Sequence, residues 1–170
     1  NLMPKQRVIE ENFFFNKDLI NKIKKKIPEI DSKETIAVHF RGKDFSNHLR
    51  KYFRKGIKLN KKYYYDALNS LFDKYGKNFK FILFSDEMDT LLEYLKDFKI
   101  DTRIINNQSP IEDWLSLMLS KNIIQSNSSF CWTASLFNKN ISFQPRHGYG
   151  YNDNFGPIPY GFYMNNSIIV

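Results

Sequence analysis

Short apolar segments alternate with segments of helical periodicity along this sequence, and the alternation constrains the fold more than any other feature. The predicted strands span residues 35–40, 80–85, 102–105, 122–125 and 140–143. The predicted helices span residues 18–26, 62–75, 89–96, 109–119 and 129–137. Continuous apolar runs such as Thr-Ile-Ala-Val-His-Phe at 35–40 are typical of strands buried on both faces. Strand and helix in turn form βαβ units. We therefore predict an α/β fold with a Rossmann-like, mostly parallel sheet.

The ends of two predicted helices have recognisable signals. Ser109 is placed to cap a helix, Pro110 occupies its first position, and Glu112 completes a capping box. Gly76 is the expected end of the helix at 62–75. A chain of 170 residues suffices for one compact domain. We assign residues 35–146 to that domain, residues 1–34 to an amino-terminal helical segment, and residues 147–170 to an aromatic, Gly- and Pro-rich tail.

The net charge of +8 attracts anions such as nucleic acid, anionic lipid or the diphosphate of a sugar nucleotide. The basic runs at 22–26, 50–62 and 74–80 are interpreted as mainly solvated faces, with peripheral membrane contact as an alternative. Nucleic-acid binding is disfavoured because many aromatic residues fall at core-facing positions and no RNA-binding motif is present.

Cellular location is indicated by what the sequence lacks. No apolar run approaches the roughly 20 residues of a membrane helix, and residues 1–15 lack a signal-peptide core. Cys131 is the only cysteine, which excludes an intrachain disulfide and disfavours a thiolate metal site. We expect a cytoplasmic location, with the inner membrane surface as the alternative. The chain does not begin with Met, so we also expect an upstream segment.

Three polar stretches each follow a predicted strand directly, at 41–44, 85–87 and 126–129. In a parallel sheet all three lie at the carboxyl edge, where ligands of open α/β sheets bind. The sequence therefore predicts a binding site where the three stretches meet.

Each stretch has a structural and a functional interpretation. Arg41 either pairs with a surface carboxylate or offers its planar fork to a diphosphate. Asn127, Ser128 and Ser129 form either a helix N-cap alone or a phosphate cradle at a helix start. His39 is either a satisfied core residue or a partner of a base or phosphate.

The acidic residues are read in the same way. Asp86, Glu87 and Asp89 suit a first helical turn better than a metal site, because no His is placed nearby as a further ligand. We therefore predict no metal. Asp113 beside Trp114 either serves the helix dipole or faces a ligand.

Several of these residues also resemble the α-1,2-fucosyltransferases of glycosyltransferase family 11. Residues 39–44 (HFRGKD) are similar to the family's H-x-R-R-G-D stretch, which α-1,6- and protein O-fucosyltransferases share loosely. Residues 81–87 (FILFSDE) resemble F-F-I-F-S-D-D. Residues 113–118 (DWLSLM) with 123–132 (IIQSNSSFCW) resemble the block D-L-x-L-M … I-I-S-N-S-S-F-S-W-W. The similarity runs from about 35 to 143 with the motifs in the family's order.

The resemblance implies the donor-binding half of a GT-B-type enzyme. Such an enzyme transfers fucose from GDP-fucose to a hydroxyl of a glycan acceptor, with inversion and with neither metal nor cofactor, here in α-1,2 linkage. It also implies that residues 1–34 are a remnant of the acceptor domain, most of which lies outside this chain. The alternatives are a nucleotide-sugar-binding domain without activity and a transferase for another nucleotide sugar.

Carried over by position, Arg41 holds the β-phosphate and stabilises departing GDP, while His39 and Asp113 read guanine. The remaining donor-binding residues that the resemblance implies are Lys43, Asp86, Asn127, Ser128 and Ser129. Asp44 is the candidate general base, with Glu87 as a second candidate.

The sequence departs from the family pattern at three positions. Gly42 replaces the usual second Arg, and Lys43 supplies only a point charge in its stead. Thr133 stands where the family has a second Trp, and Ser120 where Cys is common.

Overall fold

A computed structural model of the protein describes residues 16–42, 59–137, 140–146 and 167–170. These residues form six strands: β1 Thr35–Phe40, β2 Lys80–Ser85, β3 Asp101–Ile104, β4 Asn122–Ile124, β5 Ser142–Gln144 and β6 Ser167–Ile169. They also form five helices: α1 Lys17–Lys26, α2 Lys61–Tyr75, α3 Met88–Leu95, α4 Pro110–Leu119 and α5 Ser129–Ser135. The predicted α/β class is confirmed.

The six strands form one sheet in the order β3-β2-β1-β4-β5-β6. Every neighbouring pair is parallel, which confirms the predicted parallel sheet. β1 lies between β2 and β4, so that Val38 is level with Leu83 on one side and Ile124 on the other. The chain builds outwards from β1 in one direction and then returns to build in the other. Crevices outside the carboxyl ends of the strands at such a switch point bind ligands in open α/β sheets.

Helices cover both faces of the sheet, which explains why β1 is buried at all six positions. Successive side chains of a strand point to opposite faces. Ile36, Val38 and Phe40 accordingly belong to a core cluster with α2 and α3. Ala37 belongs to a second cluster, which includes residues of α1, α4 and α5. Cys131 lies in the second cluster and is fully buried.

The helix ends follow the sequence signals. Ser109 Oγ accepts from the Glu112 backbone N–H at 3.4 Å, and a Glu112 carboxylate oxygen accepts from the Ser109 N–H at 2.8 Å. The predicted capping box is therefore present, with Pro110 in the first turn. Gly76 follows α2 with a φ of 83°, a value that glycine adopts without steric cost.

Two features of the sheet and its surroundings add to the sequence prediction. No strand is predicted in the tail at 147–170, whereas β6 pairs with β5 there. α1, in the segment 1–34, contributes Ile23 to the second core cluster. The division of the chain at 34 and 146 stays a prediction. None of the helices that the structure describes is long and apolar enough to cross a membrane.

Candidate functional site

A cavity of about 600 Å³ lies at the carboxyl edge of the sheet. Its lining residues come from the ends of β1 and β2 and from the starts of α4 and α5: His39, Arg41, Phe84, Ser85, Asp86, Pro110, Asp113, Ser128, Ser129 and Phe130. The three polar stretches after β1, β2 and β4 therefore meet, as predicted. Six of the predicted site residues line this cavity: His39, Arg41, Asp86, Asp113, Ser128 and Ser129.

Asp86 holds the chain where it leaves β1. Its Oδ2 lies 3.3 Å from Arg41 Nη1, and its Oδ1 accepts the Gly42 backbone N–H at 2.7 Å. Arg41 thus does pair with a carboxylate, but that carboxylate also lines the cavity. The pairing orients the guanidinium at the site and leaves 38% of the Arg41 side chain exposed.

Gly42 is packed too closely for any side chain. A Cβ at this position would lie 2.8 Å from Glu87 Cβ, closer than carbon atoms approach in folded proteins. Glu87 is held in place because its Oε1 accepts the Thr90 hydroxyl at 2.5 Å and its backbone N–H donates to Ser85 Oγ at 2.9 Å. The turn after β1 therefore requires glycine.

His39 is buried at the end of β1, with 7% of its surface exposed. Its Nδ1 lies 2.6 Å from Ser126 Oγ, its ring stacks on Phe130 with centroids 6.0 Å apart, and its carbonyl accepts the Tyr64 hydroxyl at 2.9 Å. Burial, with a smaller effect of the Arg41 charge, lowers the His39 pKa to about 3. The ring is therefore neutral near pH 7.

Two adjacent carboxylates at the start of α4 titrate very differently. Burial raises the pKa of Asp113 to about 6, with Lys26 opposing and Glu112 reinforcing the shift. The pKa of Glu112 is lowered to about 2 by hydrogen bonds from Lys22 and Ser109. Asp113 lines the cavity and Glu112 does not. A desolvated carboxylate gains from ligand groups that donate hydrogen bonds to it.

The third stretch begins α5. Ser128 is the N-cap residue of this helix, but its side chain makes no capping hydrogen bond. Capping alone therefore does not account for Ser128, which lines the cavity together with Ser129. Asn127 is buried, with 2% of its surface exposed, and does not line the cavity.

Some predicted residues and some lining residues do not coincide. Lys43 and Asp44 lie outside the described residues, and their roles stay predictions. Phe84, Pro110 and Phe130 line the cavity without having been predicted. In the sequence, nothing distinguishes these apolar residues from core or capping positions. In the described part of the chain, no group of three His, Cys, Asp or Glu residues is arranged to hold a metal ion.

Comparison with known families identifies the chain. The sequence model of glycosyl transferase family 11 matches residues 5–147. The chain belongs to glycosyl transferase family 11. No curated protein matches the sequence of this family 11 chain.

Two solved structures resemble the family 11 chain. A crystal structure of POFUT1 in complex with GDP-fucose matches 63% of this chain and 38% of its own, with 16% identity and a TM-score of 0.43. A crystal structure of the POFUT1 apo form matches 70% of this chain and 42% of its own, with 15% identity and a TM-score of 0.47. The family 11 chain thus spans about two fifths of the length of these structures.

The departures from the family 11 motifs have local explanations. An Arg at position 42 would collide with Glu87, so the glycine matches the packing of this turn. Thr133 Oγ1 accepts the Trp114 indole N–H at 3.0 Å and so joins α4 to α5. Ser120 is buried, and its hydroxyl donates to the Ser116 carbonyl at 2.9 Å.

Proposed function

We propose that this family 11 chain is the donor-binding half of an inverting GT-B-type fucosyltransferase. Its cavity binds GDP-fucose, and the enzyme transfers fucose in α-1,2 linkage to a hydroxyl of a glycan. The observation that supports this function is the convergence of Arg41, His39, Asp113, Ser128 and Ser129 around one cavity at the switch point of the sheet.

The diphosphate lies against Arg41, Ser128 and Ser129. A guanidinium fork matches two phosphate oxygens, and hydrogen bonds between charged groups are about twice as strong as neutral ones. The Asp86 carboxylate keeps the fork in position through the 3.3 Å contact. When the bond to fucose breaks, GDP gains negative charge, and a preorganised cation stabilises that charge most in the transition state.

The guanine lies towards Asp113. Guanine presents N–H donors that suit a carboxylate acceptor. The Asp113 carboxylate is half-buried, and burial that no hydrogen bond from a described residue offsets raises its pKa to about 6. Binding of guanine would therefore relieve part of the desolvation cost of the ionised Asp113. The Asp113 carboxylate therefore favours binding of guanine over uracil.

Fucosyl transfer also needs a general base for the acceptor hydroxyl. Glu87 does not line the cavity, and its Oε1 accepts from Thr90. We assign the base to Asp44, and the acceptor-binding surface to parts of the enzyme outside the described residues.

Calorimetric titration of the purified chain with GDP, GDP-fucose and UDP tests this function. We expect binding of GDP and GDP-fucose but not of UDP. Arg41→Ala should weaken GDP binding about 30-fold, since a hydrogen bond to a charged group contributes about 2 kcal/mol. Arg41→Lys should recover only part of the loss. Arg103→Ala is the matched control, because Arg103 pairs with Glu29 at 2.8 Å and does not line the cavity. A folded chain that binds no GDP would contradict the proposal.

A second function is favoured by Gly42, which removes one of the family's two cations. In that case the chain binds the nucleotide sugar without transferring it. Binding of GDP-fucose combined with no release of GDP in the presence of glycan acceptors would support this alternative over the enzyme.

A further inference from the structure

A hydrogen bond between His39 and Ser126 spans the switch point of the sheet. His39 lies near the end of β1, and Ser126 is the second residue after β4. The His39 Nδ1 and the Ser126 Oγ are 2.6 Å apart. Both residues are buried, with 7% and 1% of their surfaces exposed. The bond therefore sits at the back of the cavity rather than in solvent.

The neutral imidazole of His39 carries one ring proton, which lies on either Nδ1 or Nε2. Burial keeps the His39 pKa far below its usual value, so the ring is neutral near pH 7. A neutral imidazole has one nitrogen that donates and one that accepts. The partner at Nδ1 therefore decides what Nε2 offers to a ligand.

The surroundings of Ser126 indicate the direction of the bond. If Nδ1 donated, the Ser126 hydroxyl proton would need a second acceptor. Within the part of the chain that the structure describes, Ser126 Oγ has no partner other than His39, and at 1% exposure water is excluded from it. A buried hydroxyl proton without an acceptor is costly. Ser126 therefore donates to Nδ1, and the ring proton lies on Nε2.

We propose that Ser126 is a positioning residue that fixes His39 as the Nε2–H tautomer, so that the ring offers a hydrogen-bond donor to the nucleotide. Among the described residues, His39 Nε2 has no protein partner, and the ring lines the cavity. The stacked Phe130 ring and the Tyr64 bond to the His39 carbonyl hold the residue on its other sides. The identity of the ligand as a nucleotide rests on the proposed function, whereas the tautomer does not.

A hydrogen-bond donor that is fixed at His39 Nε2 favours a ligand atom that accepts a hydrogen bond. The matching atom of the ligand is a phosphate oxygen or an acceptor on the guanine edge. An amino group in the same place, such as that of adenine, would set two donors against each other. The His39 and Ser126 pair therefore contributes either to the specificity for the base or to the affinity for the diphosphate.

The tautomer can be measured directly on the unliganded chain by nitrogen-15 NMR of the imidazole rings. The chain has three histidines, His39, His48 and His147, so His48→Gln and His147→Gln variants assign the His39 signals. We expect an unprotonated Nδ1 and a protonated Nε2 from pH 5 to pH 8. Ser126→Ala should give a mixture of both tautomers. A protonated Nδ1 in the wild-type chain would overturn the proposal, whether or not GDP binds.

Titration with GDP and with guanosine tests the consequence for binding. Ser126→Ala should weaken GDP binding on the order of tenfold, because one oriented hydrogen bond is lost, and Ser126→Thr should restore it. Ser135→Ala is the control, since Ser135 is buried, donates to the Trp132 carbonyl at 2.7 Å and does not line the cavity. A loss seen with guanosine too places the acceptor on the base, and a loss seen only with GDP places it on the diphosphate.

The two proposals fail differently. If Ser126→Ala binds GDP as tightly as the wild-type chain, the positioning role is wrong while the proposed donor remains. If no variant binds GDP, the proposed function fails and the NMR result still decides the role of Ser126. If Ser126→Ala does not fold, the nitrogen-15 spectrum of the wild-type chain still decides whether His39 is the Nε2–H tautomer that the proposal requires.

Discussion

The two ends of the β1–β4 strand pair differ in how completely their buried polar side chains are hydrogen-bonded. At the amino end, the Asn122 amide donates to the carbonyls of Lys33 and Thr35 at 2.8 and 2.9 Å and accepts the Ile141 N–H at 3.3 Å. At the carboxyl end, His39 shares one bond with Ser126 and turns its other nitrogen to no described residue. Burial is nearly equal at both ends. What separates the structural residue Asn122 from the proposed binding residue His39 is therefore the hydrogen-bonding capacity that the described fold leaves unused.

The largest expected effect is a loss of stability caused by a substitution at the amino end of the strand pair. Asn122→Ala removes three hydrogen bonds, one of them buried and two part-buried, so we expect the free energy of unfolding to fall by about 3 kcal/mol. The GDP dissociation constant of the folded fraction should stay within about twofold. Urea unfolding and calorimetry measure the two quantities. Asn106→Ala, an exposed amide on the loop after β3, is the control. A loss below about 1 kcal/mol at Asn122 would contradict the comparison.

A smaller effect is expected from two glycines at opposite edges of the sheet, Gly42 after β1 and Gly76 before β2, which are needed for different reasons. Gly42→Ala should lower the free energy of unfolding by about 2 kcal/mol through overpacking against Glu87. It should also weaken GDP binding, because Gly42 and Arg41 share the Asp86 carboxylate. Gly76→Ala has open space around its Cβ and suffers only from its φ of 83°, so about 1 kcal/mol is expected without loss of GDP binding.

A second substitution separates these two causes. Glu87→Gly removes the colliding side chain and should recover stability in combination with Gly42→Ala, but not in combination with Gly76→Ala. Double-mutant cycles on unfolding free energies measure this coupling. If the changes in unfolding free energy are additive for both pairs of substitutions, the close approach of Gly42 to Glu87 does not contribute to stability.

The most gradual effect is expected from Asp113. Because burial raises its pKa from 3.8 to about 6 in the fold, the unliganded chain loses stability as pH rises between these two values, and the loss is complete once this carboxyl has ionised in the fold. Guanine needs the ionised acceptor, so GDP affinity should change in the opposite sense. It should fall about tenfold per pH unit below 6. Calorimetry between pH 5 and 8 measures the slope, and Asp113→Asn should abolish it. The pKa of His39, at about 3, lies outside this range. An identical slope in Asp113→Asn would assign the titration to another group.

The sequence was sufficient for features that one short segment determines. The start of α4 is predicted by Ser109, Pro110 and Glu112, and the mostly apolar run of β1 indicates a sheet covered on both faces. β6 was missed because Ser167–Ile169 is too short to show a period and no helical pattern precedes it in the sequence. Local pattern predicts an element only when the element is long enough to repeat.

The site was predictable to the extent that topology alone determines it. Parallel strands bring their carboxyl ends to one edge, which was enough to gather Arg41, Asp86 and Ser128. The bond between His39 and Ser126 joins residues 87 positions apart, and the collision at Gly42 involves Glu87 on a different turn. Such pairwise contacts depend on strand order and packing, for which the sequence has no local signal.

The central place of β1 also bears on how the chain reaches this structure. Its partner β2 follows after about 40 residues, but its other partner β4 begins only at Asn122, and parallel pairing over such separations is slow to form. Until β4 pairs with it, one edge of this fully buried, mostly apolar strand has no hydrogen-bonded neighbour, and such edges are templates for aggregation. The strand that supplies His39 to the cavity is thus also a segment that needs protection while the chain folds.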